Sequence, residues 1–96
     1  MEIPGKEIPG IDVAEEEDIS IGLKSKVILY NDDWHSFDDV ILQIIKAIKC
    51  SFAVASKKAF ETHVKGKSVI FSGEFSDCLR VSSVLEEIAL HTQIVT

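Results

Sequence analysis

Leu29-Tyr30-Asn31-Asp32-Asp33-Trp34-His35-Ser36-Phe37-Asp38-Asp39-Val40 is the stretch whose reading decides the fold. It begins inside the apolar run Val27-Ile28-Leu29-Tyr30, which is short, β-branched and cut off by Asn-Asp-Asp, so the run reads as a strand closed by turn formers. From Ser36 onward the pattern changes to that of an amphipathic helix. The Asn-Asp-Asp therefore lies where a strand passes into a helix, on the rim of the fold. Three adjacent side chains offer oxygen acceptors there, with Trp34 and Phe37 as apolar neighbours. Such a combination suits a ligand with a cationic head and an apolar body.

Outward from this junction the elements follow one another closely. A first strand spans Lys26 to Asn31. Ser36 has the character of a helix N-cap, with Asp39 as a weaker capping-box partner, and Asp38 and Asp39 complement the positive end of the helix dipole. The helix runs from Phe37 to about Cys50, with Val40, Ile41, Ile44, Ile45 and Ile48 on its apolar face. A second helix, Ala53 to Val64, has a thinner stripe of Val54, Ala55, Ala59 and Phe60, and Gly66 supplies its stop. Ser68 to Ser72 reads as a strand. A third helix, capped by Ser76, runs from Asp77 to about Leu90, with Leu79, Val81, Val84, Leu85 and Ile88 directed to the core. Thr92 to Thr96 is a last short strand. The order β-α-α-β-α-β predicts an α+β domain, a small α/β sandwich with three helices on one face of a three-stranded sheet.

Ninety-six residues bound the chain to one small domain, and 46% apolar with 7% aromatic residues allows a modest core. The formal net charge of -6 and a pI near 4.9 argue against a nucleic-acid surface. The charge is uneven: residues 1–25 carry seven acids and two bases, and the remainder nine acids and eight bases. The paired Pro-Gly steps at 4–5 and 9–10 and the acidic run Glu15 to Asp18 predict a flexible N-terminal extension over residues 1–24, with a short patch at Ile19-Ser20-Ile21, ahead of a core domain over 25–96. Cys50 and Cys78 belong to no CxxC pair and have no metal-ligand spacing to a histidine, so idle or buried thiols in a reducing compartment are expected. No basic-then-apolar leader is present and no apolar run approaches about 18 residues. A soluble, cytoplasmic protein is expected.

Chemistry-bearing residues are few. The Asn-Asp-Asp run lacks the Gly and Glu that an EF-hand loop needs at its fixed positions, so calcium is not expected. Read by spacing alone it is a capped turn. His63, near the end of the second helix, reads by spacing as a packed or surface histidine, as do His35 and His91. No Ser-His-Asp or Cys-His arrangement is marked by spacing.

Taken together, the strand, Asn31-Asp32-Asp33, an aromatic residue, a helix carrying Val40, and then His63-Val64-Lys65-Gly66-Lys67-Ser68 resemble the ClpS family. The resemblance covers residues 26–72 well and 73–96 loosely, and the spacing from Asn31 to His63 is the family's own. It implies a binding module rather than an enzyme, with no cofactor and no metal. Family members are adaptors of the Clp protease that recognise polypeptides beginning with Leu, Phe, Tyr or Trp and present them to a ClpA- or ClpC-type unfoldase through its N-terminal domain. The resemblance assigns the α-amine to Asn31, Asp33 and His63, and the first side chain to a pit walled by His35, Phe37, Val40, Ala59 and Thr62, while Asp32 is assigned to the turn or to the ligand. Phe37 and Ala59 stand where many members have Met, and Thr62 where they have Val, which implies a reshaped and more polar pit. The third helix lacks the family's Thr-x-Glu-x-Ala-Glu-x-Lys pattern, which bears on unfoldase docking, and the wall of the pit that the family supplies after this helix is either missing or comes from Ile94 or Val95. The alternatives are a non-catalytic interaction domain of the same fold that has lost Clp docking, and a small hydrolase using Asp33 and His63.

Overall fold

The computed structural model describes residues 24–96; the extension expected over 1–24, with its Ile19-Ser20-Ile21 patch, lies outside the described residues but for Lys24. The elements are β1 (Ser25–Tyr30), α1 (Phe37–Ile48), α2 (Phe52–Lys65), β2 (Lys67–Gly73), α3 (Phe75–Glu86) and β3 (Thr92–Val95). This is the expected β-α-α-β-α-β order, and boundaries move by at most a few residues, as helix and strand ends commonly do.

β1 is the central strand, antiparallel to β2 on one side and to β3 on the other. Its side chains alternate, with Ser25, Val27 and Leu29 buried and Lys26 exposed, so one face of the sheet carries the core. α3 lies across all three strands, α2 packs on β2, and α1 packs against α2 and α3. Leu29, Ile41, Ile44, Ile70, Val81 and Leu85 form the centre of the packing.

β2 departs from simple alternation. Val27 pairs with Phe71 and Ile28 with Val69, so Ile70 is the extra residue of a bulge. The extra residue lets Ile70 and Phe71, neighbours in sequence, both join the core.

The helix ends follow local chemistry with one exception. Ser36 Oγ accepts from the Asp39 N–H at 3.1 Å, as its sequence position suggests, and Ser51 does the same for the Val54 N–H. α3 corrects the sequence reading. Its N-cap is Glu74, which makes no side-chain cap bond, and Ser76 lies inside the helix. Its buried face carries Cys78, Val81, Ser82 and Leu85, while Leu79, expected in the core, is 47% exposed. Val54 and Phe60, expected on the apolar stripe of α2, are also exposed. Cys50 and Cys78 are free thiols, Cys78 buried.

Gly66 ends α2 with φ at 87°, and its N–H donates to the Thr62 carbonyl at 2.9 Å. A Cβ there would meet nothing within 4 Å, so the cost of Gly66→Ala is backbone strain alone. A loss of about 1–2 kcal/mol in chemical denaturation is expected, since the left-handed conformation disfavours a Cβ by that amount.

Candidate functional site

The junction between β1 and α1 is pinned from two directions. The Tyr30 N–H donates to the His91 carbonyl at 3.0 Å, and the Asn31 N–H donates to the Gly66 carbonyl at 2.9 Å. The second bond joins the Asn-Asp-Asp turn to the end of α2, three residues after His63. Two sequence-distant polar motifs are thereby brought to one place.

They meet at the mouth of a cavity of about 540 Å³, within the usual size range of ligand pockets. Asn31, Asp33 and His63 line it and are exposed. His35, Phe37, Val40, Ala59 and Thr62 line the same cavity, as does Asp32. All nine residues assigned to the amine, the pit and the turn thus line one concavity. Four further lining residues were not named: Leu29, Tyr30, Phe60 and Leu90. Leu29 and Tyr30 directly precede the turn, and Phe60 lies one helical turn before His63, so their placement had a signal in the spacing. Leu90 had none, because it enters from the segment after α3. It also corrects the expected wall: Leu90, 4% exposed, lines the cavity, whereas Ile94 packs on the core and Val95 is exposed.

Thr62 changes the expected polarity of the pit. Its hydroxyl is bonded to the Lys58 carbonyl at 2.9 Å and to Ser68 Oγ at 2.6 Å. Both its donor and an acceptor site are engaged within the protein, so the residue adds little polarity to the cavity despite replacing an aliphatic side chain.

Asp32 and His35 form the most constrained part of the turn. Asp32 accepts from the Trp34 N–H at 3.1 Å, from the His35 N–H at 2.9 Å, and from His35 Nδ1 at 2.6 Å. The other ring nitrogen, Nε2, donates to the Ile88 carbonyl at 2.5 Å. The His35 side chain is 5% exposed and that of Asp32 20%. Trp34 stacks on the imidazole with ring centroids 3.8 Å apart. Asp32 therefore braces the turn, and His35 ties that turn to the segment after α3.

Burial opposes the charge on His35, but the Ile88 carbonyl, the Asp32 carboxylate and the more distant Asp39 outweigh it and raise its pKa above the ordinary 6.5. Burial likewise opposes the Asp32 charge, but the His35 and Trp34 donors outweigh it and hold its pKa below the ordinary 3.8. A raised histidine contributes stability that is fully present below its unfolded pKa and is lost as pH climbs through the folded value; a lowered aspartate contributes stability that is present above its unfolded pKa and is lost as pH falls through the folded value. The pair therefore stabilises most in the window between 3.8 and 6.5. The Tm difference between wild type and His35→Gln is expected to be widest there and to narrow toward alkaline pH. A constant difference across the range would contradict this linkage.

An acid-rimmed apolar cavity on an α+β sandwich has the form of a small binding module. The chain belongs to the ClpS family, described as ATP-dependent Clp protease adaptor proteins, whose family model matches residues 23–93. No curated protein matches it significantly. Among solved structures it is similar to Agrobacterium tumefaciens ClpS2 bound to L-phenylalaninamide, with a TM-score of 0.70 and 17% identity over 74% of this chain and 93% of that one. At that identity the likeness is one of fold. Among the described residues no helix is long and apolar enough to cross a membrane, and no group of three or more His, Cys, Asp or Glu is placed to hold a metal ion.

Proposed function

We propose that this protein is an adaptor that binds the free N-terminal bulky hydrophobic residue of a polypeptide and delivers that polypeptide to a Clp unfoldase. The observation that carries the reading is the meeting of Asn31, Asp33 and His63 with an apolar pit in one cavity. An α-ammonium is a compact cation with donors pointing in several directions, and it requires acceptors around it, at least one of them charged. Asn31 and Asp33 accept through side-chain oxygens, and His63 through a ring nitrogen. The first side chain enters between Phe37, Val40 and Ala59. Burying a large side chain contributes about 1.5–3 kcal/mol, and each stranded polar partner costs about 1–3 kcal/mol. Both halves of the ligand are thus needed. The unfoldase docks through its N-terminal domain, in the cytoplasm, and the adaptor itself performs no catalysis.

The binding half is tested by fluorescence anisotropy with peptides beginning Phe, Leu, Trp or Tyr, each beside its N-acetylated twin, on wild type and His63→Ala. Binding should require both the free amine and the bulky first residue, and should weaken in the variant. No binding by any free-amine peptide would overturn the reading and leave the non-catalytic interaction domain in its place.

A further inference from the structure

We propose that His35 is a fixed cation in the wall of the pit and makes the site select aromatic over aliphatic first residues. This rests on the N-terminal recognition proposed above and names the substrate class more narrowly. Its basis is the bonding of the ring. His35 Nδ1 meets the Asp32 carboxylate at 2.6 Å and Nε2 meets the Ile88 carbonyl at 2.5 Å. A carbonyl oxygen cannot donate, so Nε2 carries a proton. The Trp34 and His35 backbone N–H groups bond to Asp32 Oδ1 and help hold this carboxyl below its ordinary pKa, so Oδ2 is the acceptor and Nδ1 the donor. The ring is an imidazolium, and the raised pKa of His35 agrees.

With both nitrogens occupied, the ring has only its carbon edge and its faces to present to the cavity it lines. Trp34 stacks over the ring. What remains is the positive side of the ion pair with Asp32, on a side chain that is 5% exposed. The π-face of an aromatic side chain is negative and is attracted to such a cation within about 6 Å, whereas leucine gains only burial. Ala59, small and buried, leaves room in the same cavity, and the Thr62 hydroxyl, bonded to Ser68 and Lys58, does not compete.

The test compares ligands of nearly equal size on the wild-type protein: phenylalaninamide, cyclohexylalaninamide and pentafluorophenylalaninamide, with N-acetylphenylalaninamide as control, by calorimetry. Phenylalaninamide should bind about 3- to 30-fold more tightly than its saturated analogue. Fluorination, which reverses the ring quadrupole, should weaken binding. In His35→Gln the preference for the aromatic amide should level or reverse. Equal affinity of wild type for phenylalaninamide and cyclohexylalaninamide, with the acetylated control inactive, would overturn the selection by His35 while leaving N-terminal recognition standing. Indifference to fluorination would do the same. Failure of every free amide to bind would overturn both.

Discussion

Asp33→Ala is expected to weaken binding of a peptide with a free N-terminal phenylalanine by about 10- to 100-fold, because a hydrogen bond to a charged group contributes about 1.5–3 kcal/mol and each 1.4 kcal/mol is tenfold in affinity. Asp33 is exposed at the cavity rim, so thermal stability should change little, as for most surface substitutions. Asp33→Asn keeps an acceptor and loses the charge, so its loss should be intermediate. Asp32→Ala should behave differently. Asp32 accepts three bonds within the turn, so its removal should lower Tm as well as affinity. Anisotropy and thermal melting on the three variants check this pattern. An Asp33→Ala protein that binds as well as wild type would remove the charge from the amine cage.

Ile44→Ala is expected to destabilise the domain by about 2–5 kcal/mol, the range for truncating a large core side chain. Ile44 is fully buried on α1, among the side chains that α1 packs against the rest of the core. In a domain of this size each kcal/mol shifts Tm by about 4–8 °C, and total stability is of the order of 5–15 kcal/mol, so the variant should be near unfolding at 37 °C. Leu42, two residues earlier on the same helix, is 60% exposed. Leu42→Ala should stay within about 0.5 kcal/mol of wild type. Chemical denaturation of the two variants side by side measures the difference, and similar losses would show that α1 does not pack as described.

These contrasts also mark what the sequence could reveal. The turn at Asn31-Asp32-Asp33, the cap at Ser36 and the stop at Gly66 depend on chemistry within a few residues, and they are readable for that reason. The gathering of Asn31 and His63 was readable only through the resemblance, since no local pattern links residues so far apart. The bulge at Ile70 was not readable, because an extra residue shows only once β2 is registered against β1. The start of α3 at Phe75 differs from the sequence expectation because Ser76 is a better capping residue than Glu74, a local preference that the packing of Cys78 and Val81 overrides. The polarity assigned to Thr62 failed for a related reason: its hydroxyl finds Ser68, a partner on the following strand. By spacing His35 reads as an ordinary histidine, and nothing local announces the Ile88 carbonyl 53 residues away. Tertiary partners decide such side chains, and a one-dimensional pattern does not contain them.

The most direct measurement is a backbone amide NMR titration of wild-type protein with phenylalaninamide and, separately, with N-acetylphenylalaninamide. Saturable shifts confined to the turn from Asn31 to Phe37, the end of α2 from Ala59 to Gly66, and the neighbourhood of Leu90, produced by the free amine and not by its acetylated twin, are predicted. Shifts of equal size from both ligands, or shifts centred outside this cavity, would contradict recognition of a free N-terminus at this site.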